Sequence, residues 1–243
     1  MKKSEFKRPD GRAYDEIRQI KAEVGIVSRA DGSARFQIGK TVAYAAVYGP
    51  RSLYPKFLQN PKRGLLRCYY NMLPFSSKGE RVKPGPSRRA LEISLVTEKA
   101  LTPAIDLTKY PNAVVDVFIE LPQTDAGTRC AGITAAAMAL ADAGIVMYDL
   151  VSAVAVGYVN GNLIADLIYD EEAYPGEVAD IPVAYMPRYD KFSLLQMDGK
   201  ISGEQLQKAL ELAKKVCLQI YNVQKKALKR RYEKYKSIGN VEG

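Results

Sequence analysis

The segment Asp125-Ala-Gly-Thr-Arg129 combines residue types that hold a small tetrahedral anion. It lies between a strand-like stretch and an Ala-rich helical stretch, where the free N–H groups and the positive dipole of a helix N-terminus attract negative charge. Gly127 permits close approach, Thr128 offers a hydroxyl donor, and Arg129 offers a planar fork of N–H groups. Phosphate is the ligand that this pattern predicts. The alternative is that Asp125 caps the helix and Arg129 is a surface charge.

A second group of cations begins a helical pattern at Ser87-Arg88-Arg89. Arginines in the first turn oppose the helix dipole by about 0.3 to 1 kcal/mol each, so an anionic partner is expected to offset that cost. More basic residues stand just upstream, at Lys78, Arg81 and Lys83. An RNA backbone fits such a segment, and solvated surface charge is the alternative.

Arg67 and Tyr70 place a cation near an aromatic ring within a strand-like run. Residues three apart face opposite sides of an ideal strand, so their joint use requires a bend or the end of a strand. The Tyr70 ring is of a kind that stacks on a base in sequence-tolerant binding of single strands. An ordinary core tyrosine is the alternative.

Acidic residues concentrate between Tyr169 and Asp180, in a chain that is otherwise basic. Carboxylates beside a phosphate site suit Mg²⁺, which prefers oxygen ligands and phosphate substrates. An acidic surface loop is the alternative.

Composition removes several other chemistries. The chain of 243 residues contains no histidine, which excludes Ser-His triads, His-based metal sites and imidazole catalysis. Its cysteines, Cys68, Cys130 and Cys217, are far apart and lack zinc-binding or redox spacing, so reduced, packed thiols are expected. The formal charge of +9 favours a polyanionic partner, although a basic protein without one has the same composition. The absence of a signal-like or membrane-spanning apolar run predicts a cytoplasmic protein.

The hydrophobic pattern predicts one α+β unit over residues 1–243. It indicates an antiparallel hairpin over 21–47, a strand over 67–75, a loop over 76–86 and a helix from Ser87. Further on it indicates a strand over 112–121, a buried helix over 127–143 and a hairpin around Asn160-Gly161. A strand pair, 181–186 with 192–197, precedes a last helix that Ser202 and Gln205 cap. Gly39-Lys40-Thr41 lacks the earlier glycine of a P-loop and is interpreted as a strand with a glycine bend.

Taken together, these segments resemble the ribonuclease PH family, and within it the catalytic ring subunits of archaeal exosomes. The resemblance covers nearly the whole chain, and its specificity lies in the order and intervals of motifs that are weak individually. The motifs are Arg8-Pro-Asp-Gly-Arg12, Pro84-Gly-Pro-Ser-Arg-Arg89, Asp125-Ala-Gly-Thr-Arg129 with Gly132-Ile-Thr134, and Gly176-Glu-Val-Ala-Asp180.

The resemblance implies a role for each matched residue. It implies that Gly127, Thr128 and Arg129 bind the attacking inorganic phosphate and that Arg89 contacts phosphate or the scissile group. It places Arg88 and Arg67 on the RNA backbone and Tyr70 against a base. Asp180 matches the essential acid, which positions Mg²⁺ (or Mn²⁺) or protonates the leaving 3′ oxygen.

The implied fold is the ribonuclease PH fold of paired β-α units with antiparallel sheets. The implied assembly is a hexameric ring of three active and three related inactive subunits around a channel for single-stranded RNA, with RNA-binding cap proteins. Phosphorolysis would release nucleoside diphosphates. Two other family members, a homohexameric ribonuclease PH that trims transfer RNA and a non-catalytic RNA-binding ring subunit, remain as alternatives.

This sequence departs from the family pattern at two positions. Relatives commonly carry a second acid six positions before the essential one, where this chain has Tyr174. The nearest acid, Glu172, is eight positions away, which makes it the candidate second metal ligand. Asn71 stands where relatives commonly have a histidine.

Overall fold

The strands form two sheets in the residues that the structure describes, which are 6–78, 80–85 and 87–239 of this computed structural model. Side chains are described through Glu233. The predicted loop over 76–86 includes Gly79 and Pro86, which lie outside the described residues, as do residues 1–5 and 240–243 of the predicted domain.

The first sheet has the strand order β1-β2-β3-β5-β4, with β4 and β5 parallel and the other neighbours antiparallel. Alternation in β5 explains its place, because Val115, Val117 and Ile119 face the core while Asp116 and Glu120 face away from it. The strands are β1 (Ile20–Val24), β2 (Gly32–Ile38), β3 (Thr41–Ser52), β4 (Leu65–Met72) and β5 (Ala113–Gln123).

The hairpin predicted over 21–47 is three strands rather than two. Residues 25–31 join β1 to β2, and Gly39 and Lys40 form a second, two-residue turn between β2 and β3. Gly39 has φ +55°, a left-handed conformation that glycine adopts without steric cost. The interpretation of Gly39-Lys40-Thr41 as a bend within one strand was therefore wrong.

The second sheet has the order β7-β6-β8-β9, and its neighbouring strands are antiparallel. The hairpin at Asn160-Gly161 is confirmed, although its second strand ends at Ala165 and the chain then enters the short helix α3 (Tyr169–Glu172). The predicted pair after it is also confirmed, as β8 with β9. The strands are β6 (Ser152–Val159), β7 (Asn162–Ala165), β8 (Val178–Met186) and β9 (Lys191–Leu195).

Helix α2 (Thr128–Asp142) packs against strands of both sheets, and nearly all of its residues are buried. One hydrophobic cluster contains residues of α2, of both sheets, of α1 (Arg88–Leu101) and of α4 (Gly203–Gly239). The predicted capping box of α4 is confirmed, since Ser202 N–H donates to Gln205 Oε1 at 2.7 Å and Gln205 N–H donates to Ser202 Oγ at 3.2 Å. Among the described helices, none combines the length and the apolar character that crossing a membrane requires.

Candidate active site

A cavity of about 880 Å³ opens where the N-termini of α1 and α2 approach the beginning of β8. Its wall carries both cations and carboxylates. The polar residues that line it include Lys78, Lys83, Ser87, Arg89, Thr128, Arg129, Glu172, Asp180, Gln196 and Asp198.

The anion loop, residues 125–129, turns the chain sharply from β5 into α2. Ala126 and Gly127 both have left-handed φ values, +54° and +61°. Thr41 stabilises the turn, because its Oγ1 accepts from Asp125 N–H at 2.9 Å and donates to the Ala126 carbonyl at 2.8 Å. The N-cap of α2 is Gly127, and no side chain caps the helix. Because glycine has no side chain, the N-cap residue offers no acceptor to the first N–H groups of α2, and a helix N-terminus of this kind attracts anions.

Asp125 does not cap α2, contrary to the alternative that the sequence left open. Its carboxylate instead accepts from Tyr169 N–H at 3.2 Å, which joins the anion loop to α3. Arg129 is not a free surface charge either, since its side chain is 22% exposed and its Nη1 donates to Gln196 Oε1. The fork of Arg129 is thereby aimed across the cavity toward the segment that follows β9.

Asp180 lies in β8 with its carboxylate toward the cavity. Its backbone pairs with that of Asp198 through two hydrogen bonds of 2.8 Å, and this pairing does not involve the side chain. Its Oδ1 is buried and has no hydrogen-bond partner. Burial raises the pKa of Asp180 to about 6; the charge of Arg129 opposes this shift and that of Asp198 adds to it.

Glu172 is the second carboxylate that the structure brings to the cavity. Burial, and then the nearby charge of Asp180, raise the pKa of Glu172 to about 7, against the influence of Arg89 and of the Gly127 N–H. Tyr174 lies elsewhere, with its ring edge-on to Phe6 at 5.3 Å between centroids. The acid beside Asp180 is therefore the one eight positions earlier.

The raised pKa of Glu172 predicts a pH dependence of stability. The ordinary value is 4.5 and the folded value is about 7, so folding favours the protonated carboxyl. That stabilisation is complete below about pH 4.5 and is lost as the pH rises through 7. In buffer without divalent cations, the free energy of unfolding of the wild-type chain should therefore decrease between pH 5 and pH 8. We expect Glu172→Gln to reduce that decrease by about 2 kcal/mol. Urea unfolding at pH 5 and pH 8 measures these free energies, and Glu177→Gln, at an exposed position, is the control. The same pH dependence of the free energy of unfolding in Glu172→Gln and in the wild-type chain would contradict the prediction.

The four predicted RNA-binding residues are not placed alike. Arg89 lines the cavity, whereas Arg88 is exposed on the first turn of α1 outside it. Ser87 caps this helix by accepting from Ala90 N–H at 3.0 Å, which confirms the predicted helix start. Arg67 forms a forked ion pair with Asp116 at 2.8 and 3.0 Å and does not reach the cavity.

Tyr70, predicted to stack on a base, lies at the edge of the cavity but is largely buried. It is 4% exposed and its ring packs beside Gly132, so little of the ring is open to a base. Alternation puts it on the core side of β4, while Tyr69 faces outward and stacks on Phe118 at 4.9 Å. Gln196 and Asp198 also line the cavity, although no sequence pattern indicated them as site residues.

Two family profiles match this chain. RNase PH, 3′ exoribonuclease family, domain 1, matches residues 16–146, and domain 2 of the same family matches residues 149–216. Among curated proteins, the chain is 51% identical over 225 residues to the exosome complex component Rrp41 of Methanopyrus kandleri, covering 93% of both chains. It is 53% identical over 228 residues to Rrp41 of Thermococcus kodakarensis, covering 94% of this chain and 90% of that protein.

A solved structure has the same fold. A chain of the Archaeoglobus fulgidus exosome, determined with RNA bound to the active site, superposes with a TM-score of 0.75 at 22% identity. The match covers 88% of this chain and 91% of that one. The predicted ribonuclease PH fold is thus confirmed.

Proposed function

Because this chain belongs to the 3′ exoribonuclease family of RNase PH proteins, we propose that it shortens single-stranded RNA from the 3′ end with inorganic phosphate. The enzyme is a phosphorolytic 3′-5′ exoribonuclease, and its products are nucleoside diphosphates. One observation carries the proposal: an uncapped anion loop lines the same cavity as Asp180, which has a carboxylate oxygen without a hydrogen-bond partner. The reverse reaction adds nucleotides to an RNA end.

In the proposed reaction, the N–H groups of Gly127 and Thr128 and the fork of Arg129 hold the attacking phosphate. A phosphate oxygen forms a bond to the terminal phosphorus, and the bond from that phosphorus to the 3′ oxygen of the preceding nucleotide breaks. Arg89 neutralises charge on the scissile group. Asp180, whose pKa burial raises to about 6, can hold the proton that the leaving 3′ oxygen takes up.

A divalent cation, Mg²⁺ or Mn²⁺, fits the carboxylates of the cavity. The partnerless Oδ1 of Asp180 and the neighbouring Glu172 are oxygen donors of the kind Mg²⁺ prefers. Within the described residues no group of three acidic, His or Cys side chains could hold a metal by itself, so phosphate oxygens would complete the coordination. A bound cation would supply charge neutralisation on the reacting phosphates.

Arg88 and Arg89 are proposed to bind the RNA backbone. We expect Arg88→Ala with Arg89→Ala to weaken RNA binding and to lower the slope of log Kd against log salt by about 1.4, since each lost phosphate contact contributes about 0.7 for a single strand. Fluorescence anisotropy with labelled RNA at several salt concentrations measures this. Arg29→Ala with Lys208→Ala, which removes two exposed cations outside the cavity, is the control. An unchanged slope would reassign Arg88 and Arg89 to solvated surface charge.

The proposed assembly is a hexameric ring in the cytoplasm, in which three copies of this chain alternate with three copies of a related inactive subunit. RNA-binding cap proteins complete it. Support comes from the curated relatives, which are named as exosome components and match over at least 90% of their length. A homohexamer that trims transfer RNA is the second enzyme hypothesis, and subunit stoichiometry separates the two.

The deciding experiment purifies the chain with and without its ring partner and supplies single-stranded RNA, Mg²⁺ and phosphate. Nucleoside diphosphates that appear only with phosphate would establish phosphorolysis. Nucleoside monophosphates would mean hydrolysis and would overturn the mechanism. No product from a well-formed ring would favour a non-catalytic RNA-binding subunit.

A further inference from the structure

The arginines of the N-terminal segment have no part in the proposed reaction, yet they are among the most thoroughly bonded side chains in the described structure. Arg8 is 5% exposed, and its fork meets the fully buried Glu171 at 2.7 and 3.1 Å. It also donates to the carbonyls of Ala13, Glu16 and Asp166, each at 3.0 Å. Arg8 thereby fixes the segment 166–171 against the N-terminal segment.

Arg18 is bound to that segment through Asp166. Asp166 is 2% exposed, and its carboxylate accepts from Arg18 Nε at 2.8 Å, Arg18 Nη2 at 2.6 Å and Arg18 N–H at 2.9 Å. Burial alone would lower the pKa of Arg18, but the bonds to Asp166 raise it above the ordinary value. Arg18 therefore stays charged and fixed in one orientation, although it is only 8% exposed.

The remaining arm of Arg18 reaches the anion loop from behind. Its Nη1 donates to the carbonyl of Asp125, whose oxygen also lies 2.9 Å from Thr41 Oγ1. A Cβ added at Gly127 would lie 3.6 Å from Arg18 Nη2, so the guanidinium lies directly under the left-handed turn. Arg18 does not line the cavity in which phosphate is proposed to bind. It contacts the loop from outside that cavity.

Burying these charged groups costs free energy, and orientation of the anion loop is a function that accounts for this cost. Buried ion pairs seldom add stability over apolar residues, because removing the charges from water offsets their attraction. A residue held through all its donors instead fixes the peptide that it contacts, and small displacements of a binding group are costly in catalysis. The 125–126 peptide precedes the Gly127 and Thr128 N–H groups directly, so its orientation sets theirs.

We propose that Arg18, anchored by Asp166 and by the Arg8–Glu171 ion pair, is a positioning residue that orients the anion loop for phosphate. This inference rests on the proposed function for its substrate. It assigns a role to the Arg8–Arg18 segment that is separate from RNA binding and from the chemical step.

The test compares Arg18→Lys with the matched control Arg35→Lys, which alters an arginine paired with Glu23 on the outer sheet face. Lysine keeps the charge opposite Asp166 but lacks the fork that reaches Asp125. In the assembled ring, we expect Arg18→Lys to raise the KM for phosphate about tenfold while kcat and the KM for RNA change less than about threefold. Arg35→Lys should leave all three constants unchanged. An unchanged phosphate KM in a folded Arg18→Lys variant would overturn the proposal.

A second variant keeps the proposal testable if Arg18→Lys does not fold. Thr41→Val removes the hydrogen bonds between Thr41 and the backbone of Asp125 and Ala126 without touching a charge, and it should also raise the phosphate KM, with Thr41→Ser restoring it. Loss of thermal stability with unchanged phosphate KM in both variants would mean a structural role only. The phosphate-induced rise in melting temperature, measured without RNA, reports phosphate binding directly. If the wild-type ring bound phosphate but released no diphosphate, the proposed function would fail, while a weaker phosphate-induced rise in Arg18→Lys would still support positioning.

Discussion

Asp180→Ala is expected to lower phosphate-dependent RNA degradation about 10²- to 10⁴-fold, the range for removing a group that transfers a proton or stabilises transition-state charge. Asp180 lines the cavity, and one of its carboxylate oxygens has no hydrogen-bond partner. Because its backbone, not its side chain, pairs with Asp198, the substitution should leave β8 and the fold intact. Release of nucleoside diphosphates from labelled RNA measures the effect.

The control for Asp180→Ala is Glu177→Gln, which neutralises an exposed acid just before β8. RNA affinity, ring assembly and melting temperature should be similar in both variants and in the wild-type protein. Activity of Asp180→Ala within tenfold of wild type would remove Asp180 from the mechanism. Loss of assembly together with activity would show instead that Asp180 acts in the structure.

Arg129→Lys is expected to have the second largest effect, a loss of about 100-fold in kcat/KM for phosphate, comparable to deleting one donor from a preorganised anion site. Arginine offers two parallel N–H bonds to a phosphate, and lysine cannot reproduce that geometry from the first turn of α2. The lysine variant would also lack the hydrogen bond that Arg129 Nη1 donates to Gln196. Initial rates over a range of phosphate and RNA concentrations separate the two substrates.

Arg188→Lys, at an exposed arginine after β8, is the matched control for Arg129→Lys and should change no kinetic constant. If Arg129→Lys raised the KM for RNA and left the KM for phosphate unchanged, Arg129 would be an RNA contact. The anion loop would then need another cation to complete its phosphate site.

Local patterns predicted the part of the site that one segment builds. The anion loop is a strand, a glycine turn and a helix N-terminus in direct succession, so its N–H groups converge for reasons that the sequence contains. Ser87 and Arg89 followed in the same way from a helix start. The position of Glu172 opposite Asp180 was left open, because it depends on how α3 turns before β8.

Long-range packing determines the features of the site that sequence patterns did not predict. Arg8 and Glu171 are 163 positions apart, and no periodicity indicates that they meet. Tyr70 appeared available for stacking because its strand could present either face, and the packing of α1 and α2 on the sheet made that face the buried one. The extra turn at Gly39 was missed because one glycine within an apolar alternation resembles a bend.

The burial of α2 between the two sheets has a consequence for how this protein fails under heat. An active-site loop usually opens locally at lower cost than the core, so many enzymes lose activity before they lose structure. Here the anion loop continues into the most buried helix, whose amide protons should exchange only when the whole core opens. Inactivation and melting should therefore coincide, and the phosphate site should persist until the fold itself is lost.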